Sequence, residues 1–326
     1  GEHIRDPNPD NALGLYLIDD QGNRELIYRD PLISSTSPMP LMPRPAPPVL
    51  PSAVPQREVK PMGEMVVSNV YEGLGNIEPG TIKQLRIVQL FPKSTPLANQ
   101  PRIGLAGEEN GRAILGTVPV EEDGSASFLV PANVPVYFQA LDADGFAYQT
   151  MRSSTHVQLG ERISCVGCHE GVMTAPPAAA RFPQALRRPP SAIEPGDLGG
   201  RPFSFVETVQ PILDKHCVEC HNEQRRDGRI DLSAVSQNGF TRSYWSLAGG
   251  LANWQKIVAD PAELTRIPVP AFPQRNQIQR TPPGGVYGAR GSRLMKLLCE
   301  GHEDVQLAPG ELARLAAWID MNAIFY

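Results

Sequence analysis

Cysteine and histidine are scarce in this chain, which holds five cysteines and six histidines among 326 residues. Long apolar runs are also missing, and no stretch approaches the ~20 residues that a membrane helix requires, so no membrane span is predicted. The net charge of −5 comes without a long basic stripe, which disfavours nucleic acid as a partner. No collagen-like period and no low-complexity run is present, which indicates a folded chain. No secretory signal opens the sequence, and we expect a mature or truncated product.

Proline and glycine are abundant by contrast, with 34 and 29 residues. Proline removes a backbone donor and glycine tolerates unusual dihedral angles, so both favour turns and extended links over long regular elements. We therefore expect many Pro/Gly-rich loops.

Most of the scarce residues form two copies of one motif, Cys-x-x-Cys-His. The motif residues are Cys165, Cys168 and His169 in the first copy and Cys217, Cys220 and His221 in the second. Two thiols with two residues between them, on a short helical turn, match the spacing of the two vinyl groups of a porphyrin. The histidine that follows then supplies an axial nitrogen to the iron. The pattern predicts two covalently bound c-type haems, haem 1 and haem 2. Covalent haem attachment in bacteria takes place outside the cytoplasmic membrane, so a periplasmic or equivalent extracytoplasmic location is expected.

Three other interpretations of the cysteines compete with this one. A single zinc site usually has its two cysteine pairs about 15–20 residues apart, whereas here the gap runs from Cys168 to Cys217. A thioredoxin-like pair would need a βαβ context, and two disulfides would need an oxidising compartment. None of the three gives a reason for a histidine after both pairs. The fifth cysteine, Cys299, lies beside apolar residues and is expected to be buried.

The position opposite each motif histidine decides whether an iron is closed or open to a substrate. His302 is our candidate for the distal ligand of haem 2, because it follows the end of a predicted helix in the same region; a solvated surface role is the alternative. His156 is the candidate for haem 1, with a hydrogen-bonding or surface role as the alternative. Haem 1 would otherwise be five-coordinate.

Three regions differ in pattern. Residues 1–56 contain a predicted hairpin and a proline-rich linker. Residues 57–202 alternate apolar and β-branched residues with hairpin signals at Asp123-Gly124 and Asp144-Gly145, which favours a β-rich, sandwich-like domain carrying haem 1. Residues 203–326 have the apolar spacing of helices, with a capping pattern at Ser204 and Glu207 and a proline at 211, which favours a helical, cytochrome c-like domain with haem 2. The predicted fold class is α+β.

Three segments resemble the hydrazine synthase alpha subunit family. They are "VPVEEDGSASFLVPANVPVYFQALDADGFAYQTMRSSTHVQLGERISCVGCHE", "VETVQPILDKHCVECHN" and "GSRLMKLLCEGHEDVQLAPGELARLAAWIDMNAIFY". The resemblance implies a β-rich middle domain with haem 1 and a C-terminal domain with a bis-histidine haem 2. It also implies an N-terminal β-propeller, whose final strands the hairpin at Leu13 to Pro31 resembles.

The same resemblance implies that the middle-domain haem is a catalytic centre for joining two nitrogen species. In the family its protein ligand is a tyrosine shortly after the motif, with the motif histidine diverted to zinc. In this sequence the residue four past His169 is Met173, and no tyrosine follows nearby. That departure favours ordinary ligation by His169.

Two functions follow from these patterns, and a third stays open. The first is electron transfer between the haems and a redox partner protein. The second is an oxidoreductase that acts on a small nitrogen or oxygen species at haem 1, with haem 2 as an electron relay. The third is a haem-bearing subunit within a larger complex. The departure at Met173 and the two candidate distal histidines favour electron transfer.

Overall fold

The computed structural model describes residues 12–43, 61–95, 97, 99–107, 109–151, 153–168, 182–249, 261–272, 279–281 and 285–326. Contacts divide the chain into two compact units, Gly1–Ala53 and Val54–Tyr326. Most of the predicted proline-rich linker lies outside the described residues. The described part contains 21% helix and 23% strand in several sheets, which confirms the α+β class.

The first unit contains one hairpin, in which β1 (Leu15–Ile18) pairs antiparallel with β2 (Arg24–Tyr28). Asp19 closes the turn, since its carboxylate accepts the amide N–H groups of Gln21 (3.0 Å) and Asn23 (2.8 Å). Gly22 takes a φ of +86°, which glycine adopts without steric cost. The predicted hairpin is confirmed.

The second unit contains a five-stranded and a three-stranded sheet. The larger has the order β12-β8-β7-β4-β5, and the smaller has the order β6-β3-β9. Neighbours pair antiparallel except β3 and β9, which are parallel. The strands are β3 (Met62–Val67), β4 (Gln84–Leu90), β5 (Arg112–Pro119), β6 (Ala126–Pro131), β7 (Val136–Leu141), β8 (Ala147–Thr150), β9 (Arg162–Cys165) and β12 (Gln279–Arg280). The pair β10 (Ser236–Gln237) and β11 (Phe240–Thr241) forms a small separate hairpin.

The two Asp-Gly signals have different outcomes. Asp144-Gly145 lies between β7 and β8, which pair as the predicted hairpin. Asp123-Gly124 also forms a turn, in which the Gly124 N–H donates to the Glu121 carbonyl (2.9 Å). However, β5 and β6 belong to different sheets, so the hairpin predicted at this turn is wrong. The local signal specifies a reversal of the chain but does not specify the partner of the second strand.

The five-stranded sheet is covered on both faces. Alternate residues of a strand point to opposite faces. Leu85 and Ile87 of β4 pack with Phe128 of the smaller sheet in one hydrophobic cluster, the inter-sheet core. Val88 of β4 and Tyr137 of β7 pack in a second cluster, the helical core. The order of layers is therefore small sheet, large sheet and helices.

Six helices in the described part of the chain contribute about half of the buried residues of the helical core, and strands and loops contribute the rest. They are α1 (Phe205–Thr208), α2 (Gln210–His216), α3 (Arg242–Ala248), α4 (Gly288–Gly291), α5 (Arg293–Glu300) and α6 (Pro309–Asp320). The hydroxyl of Ser204 accepts the Glu207 N–H and caps α1, as the sequence predicted. Pro211 stands in the first turn of α2, where its missing N–H costs nothing. Within the described residues, no helix is long and apolar enough to cross a membrane.

Asp320, the last residue of α6, forms hydrogen bonds that connect the helices to the large sheet. Its carboxylate accepts the N–H groups of Ala147 (2.9 Å) and Ala289 (2.8 Å), and its carbonyl accepts the amide of Gln139 (2.7 Å). Arg86 lies 3.7 Å from the same carboxylate. Burial raises the pKa of Asp320, and the charge of Arg86 opposes that rise. These contacts join residues before position 202 to residues after it. The predicted boundary between a β-rich domain, 57–202, and a helical domain, 203–326, stays a prediction.

Candidate haem attachment sites

The first motif begins where β9 ends. Val67 of β3 pairs with Cys165, and the loop after β3 continues along the motif. The Cys165 carbonyl accepts the Ser68 N–H (2.9 Å), the Val166 carbonyl accepts the Asn69 N–H (3.0 Å), and the Cys168 N–H donates to the Glu72 carbonyl (3.0 Å). Three backbone hydrogen bonds therefore hold the backbone of the motif against the loop after β3.

Gly167 stands inside this motif because the loop leaves no room for a side chain. A Cβ atom there would lie 2.4 Å from both the Cβ and the carbonyl oxygen of Glu72. We expect Gly167→Ala to lower the free energy of unfolding by about 1–3 kcal/mol, as overpacking usually does. Denaturant titration measures the change. Gly196→Ala is the matched control, since nothing lies within 4 Å of its Cβ position. Equal stability of the two variants would contradict the packing argument.

One thiol of each motif is held in its neutral form. Burial, and secondarily the nearby Cys165, raises the pKa of Cys168 to about 12. Burial, and secondarily Cys220, raises the pKa of Cys217 to about 11. Cys168 packs against the inter-sheet core and Cys217 against the helical core, so both stand in apolar surroundings. Both thiols are therefore protonated at neutral pH and lie half-buried against apolar side chains.

Two of the competing interpretations of the cysteines, disulfides and a single zinc site, find no support in the described residues. None of the five cysteines, all of which are described, forms a disulfide. In the part of the chain that the structure describes, no three His, Cys, Asp or Glu residues converge as metal ligands, so the two pairs do not build one zinc site. Cys299 is exposed. The prediction that it is buried is wrong: Cys299 is the penultimate residue of α5, and the buried residue of this helix is Met295 in its first turn.

The residues predicted to bind the iron of haem 1 are only partly described. His169 and Met173 lie outside the described residues. His156 is exposed and stands between Thr155, whose N–H donates to the Val136 carbonyl (2.8 Å), and the buried Val157. Its assignment as a distal ligand stays a prediction.

The second motif continues α2 as a helical turn. The Cys217 N–H donates to the Leu213 carbonyl (2.8 Å), and the His221 N–H donates to the Cys217 carbonyl (3.0 Å). Cys217, Cys220 and His221 therefore project from one turn. Such a turn is the local structure that the spacing of the motif predicted.

His221 is fixed in one tautomer. Its Nδ1 atom lies 2.8 Å from the carbonyl oxygen of Asp227. A carbonyl oxygen can only accept, so a hydrogen resides on Nδ1, and in the neutral ring the lone pair is then on Nε2. Imidazoles that bind metals commonly donate their second nitrogen to a carbonyl in this way. His221 is therefore prepared to bind a metal through Nε2.

The structure brings His302 to His221. Their ring centroids are 6.0 Å apart, and their planes differ by 22°. Two imidazoles that bind one iron from opposite sides, each through a metal–nitrogen bond of about 2 Å, leave about 6 Å between their ring centres. His302 follows Gly301, which ends α5 with a φ of +103°. The donor set and its spacing fit a bis-histidine haem.

Glu311, in the first turn of α6, joins the two segments that carry these histidines. Its carboxylate contacts Lys215 (2.9 Å) and His216 (3.0 Å), which directly precede Cys217. It also accepts the N–H of Ala308 (2.9 Å), in the loop that follows His302. Sequence reasoning did not single out Glu311. Its only local signal is an acidic residue two positions after Pro309, which predicts a capping role.

Comparisons with known proteins identify one family to which this chain is similar. Residues 80–170, which include three residues of the first motif, match the family model of the hydrazine synthase alpha subunit middle domain. Hydrazine synthase subunit alpha of Kuenenia stuttgartiensis is 25% identical, over 53% of this chain and 30% of the relative. This chain is similar to the hydrazine synthase alpha subunit. The predicted resemblance is confirmed.

The solved structure of Kuenenia stuttgartiensis hydrazine synthase is similar to the present fold. It matches with a TM-score of 0.53 and 20% identity, over 83% of this chain and 44% of that chain. At this identity the likeness to hydrazine synthase shows the fold alone. The present chain spans less than half the length of the relatives it matches.

Proposed function

We propose that this chain is a dihaem c-type cytochrome that transfers electrons in an extracytoplasmic redox system. One observation carries the proposal. A Cys-x-x-Cys-His turn presents His221, whose Nδ1 hydrogen is bonded to a carbonyl, and the ring centroid of His302 lies 6.0 Å from that of His221. An ordinary structural histidine needs neither the paired thiols nor a second imidazole beside it.

At haem 2 the roles of the residues follow from that arrangement. Cys217 and Cys220 would form the thioether links, and His221 and His302 would hold the iron from its two sides. The haem supplies a metal that cycles between ferric and ferrous states. Two strong protein ligands leave no open position for a substrate, which favours electron transfer at this site. The helices after residue 202 would then form a cytochrome c-like domain.

At haem 1, Cys165 and Cys168 would form the links and His169 would be the proximal ligand, with His156 as the predicted distal ligand. The backbone of this motif from Cys165 to Cys168 is hydrogen-bonded to the loop after β3, which holds the two cysteine backbones in place. A rigid backbone at the attachment site reduces the structural rearrangement that a haem protein undergoes when its iron gains or loses an electron.

A second candidate function rests on the match of residues 80–170 to the hydrazine synthase alpha subunit middle domain. The matched segment contains Cys165, Cys168 and His169. Haem 1 would then be an open centre of an oxidoreductase that acts on a small nitrogen or oxygen species, with haem 2 as its electron relay. The relative is named a subunit, so partner subunits of a complex, or a redox partner protein, are proposed for this chain.

Spectra of the ferric protein separate the two functions. Electron transfer predicts low-spin signals from both haems and no shift when cyanide or nitric oxide is added, because both irons are closed. An oxidoreductase predicts one high-spin haem that binds either ligand readily. A high-spin signal that persists in a Cys165→Ala/Cys168→Ala variant would assign the open iron to haem 2 and would contradict both assignments.

Glu311 gives the haem 2 region a predictable response to acid. The hydrogen bond from Lys215, that from the Ala308 N–H and the smaller effect of His216 lower the pKa of Glu311 from 4.5 to about 2. A carboxyl whose pKa is depressed in the folded state stabilises the fold above its unfolded pKa, and that contribution is lost as the pH falls through the folded value. The contribution of Glu311 should thus disappear between pH 4.5 and about 2.

We expect Glu311→Gln to be less stable than the wild type at neutral pH and to converge with it near pH 2. Denaturant titrations of both proteins across that range measure the difference, in which any acid effect on the haem ligands largely cancels. Glu122→Gln, at an exposed position, is the control and should follow the wild type throughout. A difference that does not change with pH would exclude the carboxylate as its cause.

A further inference from the structure

A cavity of about 280 Å³ lies beside the second motif and is lined by three arginines, Arg226, Arg229 and Arg242. Asp231, Gln237, Trp245 and Ser246 complete its lining. The lining therefore carries three positive charges and one negative charge, in a chain whose net charge is −5. Neither the motif nor the proposed axial ligands use these residues.

The single carboxylate does not neutralise the cavity. Asp231 is buried and accepts the N–H (3.0 Å) and hydroxyl (2.6 Å) of Ser233. Arg242 lies 3.3 Å from it and is also paired with the exposed Glu223 at 3.0 Å. Arg226 reaches Asp231 only at 3.9 Å. Asp231 is thus largely committed to holding Arg242 and the loop in place.

Arg229 has no such commitment. Among the residues that the structure describes, its guanidinium has neither an ion pair nor a side-chain hydrogen bond. Its neighbour Arg225, by contrast, is paired with Asp227 at 2.8 Å and does not line the cavity. Guanidinium groups present planar sets of N–H donors that match the oxygens of carboxylate, phosphate and sulfate. Arg226, whose ion pair is long, and Arg229, which is unpaired among the described residues, lie beside Arg242 in the cavity lining. Together the three guanidiniums form a set of donors for such an anion.

The loop that carries the cavity is bonded to His221 at two points. The Asp227 carbonyl accepts the His221 Nδ1–H (2.8 Å), and the Leu232 N–H donates to the His221 carbonyl (2.8 Å). Arg226, Arg229 and Asp231 all lie on or next to this short loop. A charge placed in the cavity therefore acts on the segment that positions His221.

We propose that this cavity binds a small oxyanion and couples its binding to haem 2. The ligand class is a tetrahedral or planar oxyanion, such as phosphate, sulfate or a short carboxylate. The coupling rests on the proposed function, whereas the binding does not. Negative charge near the iron favours the ferric state, so an occupied cavity lowers the midpoint potential of haem 2.

Calorimetric titration of the haem-loaded protein with inorganic sulfate and with inorganic phosphate, at constant ionic strength, tests the binding. We expect saturable binding that Arg229→Ala weakens at least about tenfold, because one charge-assisted contact is lost. Arg225→Ala, an exposed arginine of the same loop outside the cavity, should bind as the wild type does. Absence of saturable binding, or equal loss in both variants, would overturn the site.

Redox titration with and without saturating anion tests the coupling separately. A lowered haem 2 potential in the wild type, absent in Arg229→Ala, supports it. Binding without any change in potential would overturn the coupling and leave the site intact. If Arg229→Ala shifts the potential while the wild type binds no added anion, a haem propionate fills the cavity and the proposal for a free anion is wrong. The calorimetric result does not depend on whether haem 2 carries electrons.

Discussion

Replacing Cys217 and Cys220 together with alanine is expected to reduce the covalently bound haem from two per chain to one. A haem without thioether links dissociates when the protein is denatured, whereas a linked haem stays with the chain. Intact mass and haem absorbance of the denatured protein measure the number directly, so the result does not depend on whether the variant folds. The matching variant of the first motif, Cys165→Ala/Cys168→Ala, is expected to lose the other haem.

Cys299→Ala is the control for this experiment, because Cys299 is the one cysteine outside the two motifs. Its thiol is exposed near the end of α5, so its removal should neither disturb packing nor change the haem number. Retention of two linked haems after loss of Cys217 and Cys220 would show that the second motif is not an attachment site. Haem loss in Cys299→Ala would point to a general defect of maturation.

Removing the imidazole of His302 is expected to convert haem 2 from low spin to high spin. The neighbouring His221 ring is held by its Nδ1 hydrogen bond and would be the one remaining protein ligand of the iron. An open sixth position then accepts cyanide or imidazole. Absorbance and electron paramagnetic resonance spectra of ferric His302→Ala should show one high-spin haem, and added imidazole should restore the low-spin signal.

Glu303→Gln controls for disturbance of the loop, since Glu303 is the next residue and is exposed. Its spectra should equal those of the wild type. Rescue by imidazole separates a missing ligand from a collapsed domain, because a collapsed domain would not present an open iron to the added base. Two low-spin haems in His302→Ala would show that His302 lies near His221 without binding the iron.

The sequence contained enough to predict the local features of the sites. The turn through the second motif follows from the Cys-x-x-Cys-His spacing, and the β7–β8 hairpin follows from Asp144-Gly145. His302 was singled out because it follows the end of a predicted helix in the same region, and its ring centroid lies 6.0 Å from that of His221. In each case a short-range pattern specified the answer.

Features that depend on distant parts of the chain were not predictable. The parallel pairing of β3 with β9 supports the first motif across about a hundred residues, and no local signal encodes it. Asp123-Gly124 gave a turn, but the strand after it joined the other sheet because burial, and not the turn, chooses the partner. Glu311 contacts Lys215 and His216 across nearly a hundred residues, which a pattern read along the chain cannot detect.

The arginine cavity illustrates the same limit. Arg226 and Arg229 are close in the sequence, but Arg242 joins them only because α3 packs beside the loop after the motif. In the sequence this segment carries charges of both signs and resembles an ordinary solvated loop. Whether this segment can bind an anion depends on which arginines are paired with carboxylates, and only the folded chain determines that pairing.

The central claim is that two haems are covalently attached to this chain, and the haem content of the denatured protein tests it most directly. The full chain, matured in a host that attaches c-type haems, should retain two haems by intact mass and by the absorbance of its pyridine haemochrome after denaturation. A mass equal to that of the bare polypeptide, with no haemochrome absorbance, would contradict the account.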